Sequence, residues 1–251
     1  MSVLLLASAA HAPGVTSLAV ALTLHSDGPT LLVDANREPD QAVLAGHLAG
    51  ADPAGRGLGA LLQAHRERRA ISSVLPSLTL PLAPDKEFLP GFAHPGMVAL
   101  FTPVWSELAV ALESQAATVI VDAGRVGAAG LPVALVDGCS GLLMVTGSTL
   151  PDLAALRLYL PWVVQAAGED RVGLVVVGPG RPYGAGEIQR QFGVPVWAEL
   201  PWQPDDAAVY AFGSPPGRRH QQSRYLAQVR ALDHRLKTRE SDRRALLGAR
   251  R

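Results

Sequence analysis

Six short runs rich in Val, Leu and Ile recur along the chain, separated by segments that are long enough to form helices. The runs are residues 3–7, 30–33, 118–121, 141–145, 172–177 and 194–200. Each is almost continuously apolar rather than alternating, which is typical of strands covered on both faces in a parallel sheet. The pattern predicts an α/β fold with a doubly wound, mostly parallel sheet and helices on both faces.

The segments between these runs contain candidate helices, and one region is harder to assign. The predicted helices span 16–24, 58–69, 103–114, 132–136, 151–166, 186–192 and 205–212. Pro161 should kink or break the fifth of them. In the proline-rich stretch 72–96, residues 86–92 could form one more strand, and we expect the remainder to be a connecting loop.

The end of the chain differs in charge from the rest. Residues 218–251 carry eleven Lys or Arg against three acids, so residues 1–217 carry eleven against nineteen. The break SPPGRR at 214–219 predicts a domain over 1–216 and a tail over 217–251. In the tail, Tyr225, Val229, Leu232 and Leu236 recur at helical spacing among basic residues, which predicts a basic amphipathic helix. Three interpretations stay open: packing on its own domain or a dimer partner, binding a nucleic-acid backbone, or binding anionic lipid.

Composition excludes several classes of protein. The single cysteine, Cys139, rules out an internal disulfide and any cysteine-based zinc cluster. Residues 1–12 lack the basic start and the apolar length of a signal peptide, and no stretch of about 18 apolar residues occurs. We therefore expect a cytoplasmic protein, with peripheral association at a membrane or nucleoid as an open alternative.

The stretch 8–24, SAAHAPGVTSLAVALTL, follows the first apolar run and has the outline of a strand, a tight loop and a helix. Phosphate-binding loops are built this way: backbone N–H groups and a helix N-terminus point at the phosphates, a lysine neutralises charge, and a hydroxyl holds magnesium. Here the lysine is missing. The loop is a phosphate site, the remnant of one, or a turn kept for packing.

Taken together, four segments resemble the ParA/MinD family of P-loop ATPases. The family's deviant Walker A pattern KGGxGKTT falls on 10–17, read here as AHAPGVTS. LLVDANREPD at 31–40 resembles the second strand and switch I, TVIVDAGR at 118–125 resembles the Walker B strand, and 193–215 resembles the closing pattern GxPVLGxIPxD. The resemblance covers about residues 1–216 and is strongest to MinD-like and TadZ/CpaE-like proteins, which occur beside pilus and secretion ATPases.

The resemblance implies a set of nucleotide and metal positions, of which the positively charged ones are lost. The nucleotide-binding positions are His11, Gly14, Val15, Thr16 and Ser17, and the magnesium positions are Thr16 and Asp122. Val15 replaces the Walker lysine, Ala10 replaces the family's signature lysine, and Pro13 removes a backbone donor. Each lost charge-assisted hydrogen bond is worth about 1.5–3 kcal/mol. We therefore expect ATP and magnesium to bind weakly, if they bind.

The catalytic positions implied by the resemblance are Asp34 and Asn36, which fall on the two aspartates of the family's DxD triplet in switch I. Asn36 replaces the aspartate that activates water, and an amide cannot accept a proton. Arg37 and Arg125 follow the switch I and Walker B strands. They either supply the missing positive charge, form an anion-binding surface for a partner, or are two solvated arginines. The family's adenine-contacting Asn falls near Gly178.

These departures favour a non-hydrolysing protein over a motor. The leading hypothesis is a pseudo-ATPase that serves as a localisation or assembly scaffold in a pilus, secretion or DNA-transfer apparatus, with a homodimer and a protein partner. The alternative is a slow ATPase that partitions DNA or positions a complex through nucleotide-dependent dimerisation. A ligase or transferase on the same fold would need a second substrate pocket, which the sequence does not indicate.

Overall fold

All six predicted strands join one eight-stranded sheet in the computed structural model, which describes residues 2–9 and 14–248. The strands are β1 (Val3–Ser8), β2 (Thr30–Asp34), β3 (Leu80–Ala83), β4 (Lys86–Leu89), β5 (Thr118–Arg125), β6 (Gly141–Gly147), β7 (Val172–Val177) and β8 (Val196–Leu200). Their order across the sheet is β3-β4-β2-β5-β1-β6-β7-β8. Neighbours are parallel except for the antiparallel pair β3 and β4. The predicted fold class is confirmed.

Helices cover both faces of this sheet. They are α1 (Val15–His25), α2 (Leu58–Arg66), α3 (Ile71–Val74), α4 (Gly96–Leu100), α5 (Trp105–Glu113), α6 (Val133–Gly138), α7 (Leu150–Ala167), α8 (Ala185–Phe192), α9 (Pro204–Phe212) and α10 (Arg224–Gly248). Val43–His47 forms one π-helical turn. Short 3₁₀ turns lie at Leu75–Leu78, Thr102–Val104, Glu169–Arg171 and His220–Gln222.

The structure corrects two expectations about proline, the loop over the remainder of 72–96 and a break of the helix at Pro161. The remainder of 72–96 is not only a loop, because it contains β3 and α3; Pro81 is tolerated since β3 is an edge strand, where a missing N–H breaks no ladder. Helix α7 is not broken at Pro161 but runs through it. The proline lies on the exposed side of the helix, where water can satisfy the carbonyl group that the ring displaces.

The alternation of side chains along β1 divides the core in two. Val3, Leu5 and Ala7 pack into one apolar cluster, whereas Leu4 and Leu6 pack into the other. The first cluster receives side chains from α2, α3, α5, α6, α7 and α8, and the second from α1, α9 and α10. The sheet is therefore buried on both faces, which explains why its strands are not amphipathic in sequence.

Helix α10 packs its apolar stripe against the second cluster. The buried residues of the stripe are Tyr225, Leu226, Val229, Leu232 and Leu236. Arg235 Nη1 donates to the carbonyl oxygens of Val196, at 3.2 Å, and Trp197, at 2.6 Å, on the edge strand β8. At least one basic residue of the tail is thus hydrogen-bonded to backbone carbonyl groups of the domain. Among the described residues, no helix has the length and apolar character needed to cross a membrane.

Candidate functional site

The predicted site residues lie at the carboxyl edge of the sheet, where β1, β5 and β2 end side by side. Helix α1 starts at this edge, directly after Gly14, whose φ of 96° and ψ of 18° place it in the left-handed region. Such a conformation favours glycine, so Gly14 is needed here for the backbone conformation that it can adopt. His11, together with Ala10, Ala12 and Pro13, lies outside the described residues.

Asp34 and Asp122 are partners in the register of β2 and β5, and both carboxyl groups are buried. The Ala35 N–H donates to the backbone oxygen of Asp122 at 2.8 Å, which fixes the two strand ends together. Burial, reinforced by the neighbouring charge of Asp122, raises the pKa of Asp34 to about 8. A proton on Asp34 therefore stabilises the pair near neutral pH.

Burial also raises the pKa of Asp122, to about 6. Hydrogen bonding from the Thr16 hydroxyl and from the Gly124 N–H, whose nitrogen lies 2.9 Å from Asp122 Oδ1, opposes part of the rise. Thr16 and Asp122 are thus brought together, as the resemblance implies for a magnesium position. Their oxygen atoms fit a cation held through water.

Asn36 is held by a series of turns that follows β2. Its N–H donates to Asp34 Oδ1 at 3.1 Å, and its own Oδ1 accepts the Glu38 N–H at 3.0 Å. The side chain lies over Gly124, where an added Cβ would come within 2.2 Å of Asn36 Oδ1. The amide oxygen at the expected water-activating position is therefore already engaged within its own segment.

Val15, at the position of the Walker lysine, belongs to the hydrophobic core. Only 6% of its surface is exposed, and it packs into the cluster formed by α1, α9 and α10. Ser17 is also buried, one turn into the same helix. The side chain at position 15 therefore contributes apolar packing rather than charge.

The two arginines considered as replacements for the lysines both have partners in the described chain. Arg37 Nη2 donates to the carbonyl oxygen of Gly130. Arg125 Nη1 lies 3.6 Å from Glu38 Oε2, in an exposed ion pair. Across the described ranges 2–9 and 14–248, no group of three or more His, Cys, Asp or Glu residues could hold a metal ion by itself.

The sequence reasoning missed two features near this edge. Gly91, which follows β4, lies against Asp34, because an added Cβ would come within 2.5 Å of Asp34 Oδ2. The guanidinium group of Arg181 stacks on Trp202, 4.7 Å from the ring centroid, beside Gly178. The glycine near the end of the 86–92 segment was a usable signal for the first. The contact between Arg181 and Trp202 joins two separate loops, so no local sequence pattern indicates it.

Comparisons with known proteins agree with this architecture. No protein-family model matches the sequence, and no curated protein does. A ParA family ATPase from Chlorobium tepidum superposes with a TM-score of 0.74 at 17% identity, covering 92% of this chain and 98% of that one. MinD from Pyrococcus horikoshii, complexed with Mg-ADP, gives a TM-score of 0.68 at 16% identity, with coverages of 94% and 95%.

A third solved structure comes from the plasmid partition proteins. A Borrelia burgdorferi protein of this kind, bound to AMPPNP, gives a TM-score of 0.63 at 11% identity, covering 92% of this chain and 95% of that one. Identities this low establish shape and not activity. The chain therefore has the fold of the ParA and MinD P-loop ATPases.

Proposed function

We propose that this chain is a non-hydrolysing scaffold with the ParA/MinD fold, which localises or assembles partners in a larger apparatus. The observation that carries the proposal is the place of Val15. The position that holds a lysine in the family is filled by a buried valine that packs into the apolar core. A charge-assisted contact to phosphate cannot come from that side chain.

The neighbouring carboxylates support the same conclusion. Asp34 and Asp122 are buried side by side, and no described Lys or Arg forms an ion pair with either of them. A triphosphate brings several negative charges to this edge, and the ionised carboxylate of Asp122 repels them. Asn36 argues against hydrolysis, because its amide cannot take a proton from the attacking water.

The alternative, a slow ATPase that acts through nucleotide-dependent dimerisation, has two specific observations in its favour. Thr16 and Asp122 still interact at the magnesium position, and the start of α1 is preserved by Gly14. This function needs a cation from Arg37, from Arg125 or from a second chain. Both arginines are bonded elsewhere in the described structure, which favours the scaffold.

For the scaffold, we place the chain in the cytoplasm, as a homodimer bound to a protein component of a pilus, secretion or DNA-transfer apparatus. Contact with a membrane or nucleic acid would use the exposed arginines of the tail. Arg218, Arg219 and Arg224 are exposed and lie beside the start of α10. Backbone contacts to nucleic acid would weaken steeply with added salt, whereas lipid binding would require anionic vesicles.

The experiment that separates the two functions measures phosphate release and localisation with the same variant. Asp122→Asn keeps the size of the side chain and removes its charge. The scaffold predicts no phosphate release above background from either protein, and the same intracellular pattern for fluorescent fusions of both. Magnesium-dependent release that disappears in Asp122→Asn, with a changed pattern, would establish the ATPase instead.

A further inference from the structure

A chain of three hydrogen bonds ties the start of the tail to the domain, on the side of the sheet that carries α1 and α9. Asp206 Oδ1 lies 2.6 Å from His220 Nδ1, His220 Nε2 lies 2.9 Å from the Tyr210 hydroxyl, and that hydroxyl lies 2.8 Å from His25 Nε2. We call these four residues the latch. His220 and Tyr210 are buried, although both are polar.

The latch lies directly under the first turn of α10. The ring of Tyr210 stacks on that of Tyr225, with centroids 5.9 Å apart and an interplanar angle of 23°. The Tyr225 N–H donates to Gln203 Oε1 at 2.9 Å. Tyr210 therefore belongs to the hydrogen-bond chain and also to the surface on which the tail helix begins.

Counting protons shows that the latch is complete when both histidines are neutral. His220 donates from Nδ1 to the Asp206 carboxylate and accepts the Tyr210 hydroxyl proton at Nε2, while His25 donates from Nε2 to the Tyr210 oxygen. One added proton can be accommodated on His220, with Tyr210 then donating to His25. With both histidines protonated, two N–H groups face the Tyr210 oxygen and its own O–H has no acceptor.

The charges around His25 also oppose protonation. Arg230 on α10 and Lys86 on β4 face it, together with His220, and Asp206 is the acid of the latch. A separate ion-pair group lies at the turn after α1, where Lys237 contacts Asp27 at 3.0 Å and Asp233 at 2.6 Å. Burial, followed by the electrostatic effects of Arg230, His220 and Lys86, lowers the pKa of His25 to about 4.

We propose that the latch is a pH-sensitive device that holds α10 on the domain near neutral pH and makes its opening more favourable on acidification while the sheet stays folded. Release exposes the apolar stripe that begins at Tyr225 and makes it available to another surface. The inference rests on the contacts of His25, Tyr210, His220 and Asp206. It does not depend on the proposed function.

The direction follows from proton linkage. With the latch closed, His25 takes up a proton only near pH 4, whereas a histidine freed from these contacts does so near 6.5. Between these values the open form binds more protons, so opening becomes more favourable as the pH falls. If His25 fully regains its ordinary pKa, the opening constant rises by at most about 20-fold from pH 7 to pH 5.

The test is hydrogen–deuterium exchange of the full chain at pH 7 and pH 5, corrected for intrinsic exchange rates. The readout is the protection of residues 224–236 relative to that of β5. We expect the relative protection to fall about tenfold in the wild type. In His25→Gln, which can still donate to Tyr210 but does not titrate, the fall should shrink to less than about threefold. His234→Gln, at an exposed histidine on α10, is the matched control and should behave like the wild type.

A second variant checks the latch without a change of pH. Tyr210→Phe removes the bridging hydroxyl and keeps the ring, so residues 224–236 should lose protection already at pH 7. The proposal is overturned if the tail and β5 lose protection together on acidification, or if His25→Gln retains the full pH response. If Tyr210→Phe also lowers the protection of β5, that variant destabilises the whole fold. The comparison of His25→Gln with His234→Gln then tests the proposal by itself.

Discussion

Asp34, the last residue of β2, lies directly opposite Asp122 in the adjacent parallel strand β5, and both residues are buried. In the described chain each is held by turn N–H groups, and Thr16 provides a hydroxyl beside Asp122. Val15, which the resemblance aligns with the Walker lysine, packs into the apolar core. Burial keeps a proton on one of the two carboxyl groups, that of Asp34, near neutral pH.

Asp34→Asn should stabilise the chain at high pH. Because folding raises the pKa of Asp34 to about 8, its stabilising contribution is complete below its ordinary pKa and is lost as the pH rises towards 8. The amide keeps the size of the side chain and its bond to Asn36. We expect a gain of about 2–4 kcal/mol in the free energy of unfolding at pH 8, and close to none at pH 4.

Denaturant unfolding of both proteins at several pH values measures this difference. Asp137→Asn, at an exposed aspartate, is the matched control and should change stability by less than about 0.5 kcal/mol. A gain for Asp34→Asn that does not vary with pH would contradict the assignment of a buried, proton-binding carboxyl group.

Val15→Ala should lower stability by about 1–3 kcal/mol, because it removes two methyl groups from a packed cluster. The matched control is Val110→Ala on α5, where 68% of the valine is exposed and the loss should stay within about 0.5 kcal/mol. Thermal or urea unfolding provides the comparison. Equal effects at the two positions would mean that Val15 does not contribute to the core.

Gly91→Ala should disturb the carboxylate pair, since the added Cβ would come within 2.5 Å of Asp34 Oδ2. We expect a loss of about 1–3 kcal/mol, caused by displacement of a buried side chain. Gly186→Ala in α8, where an added Cβ meets nothing within 4 Å, should be neutral or stabilise by up to about 1 kcal/mol. Combining Gly91→Ala with Asp34→Ala should remove most of the loss if the clash is the cause.

The sheet could be predicted from the sequence because its central strands are apolar on both faces, as in the run that forms β7. The edge strand β3 could not, because Pro81 and its neighbours carry the composition of a loop and become a strand only by pairing with β4. The break predicted at Pro161 is absent for the opposite reason. A local rule indicated a break where the exposed side of α7 tolerates the residue.

Parts of the candidate site were predictable for a similar reason. Asp34 and Asp122 end apolar runs, so a parallel sheet brings them to one edge. The partners of Arg37 and Arg125 and the contact of Gly91 with Asp34 were not predictable, since they depend on how separate loops meet. The same holds for the latch, whose residues come from α1, α9 and the turn before α10.

The most direct test of the central claim is a calorimetric titration of Mg-ATP into the wild-type chain, with Asp122→Asn measured in parallel. We predict no saturable heat in either protein at ligand concentrations up to about 1 mM, which corresponds to a binding free energy weaker than about −4 kcal/mol. A saturable heat in the wild type that is lost in Asp122→Asn would show that the edge still holds a metal and a nucleotide, and would contradict the account.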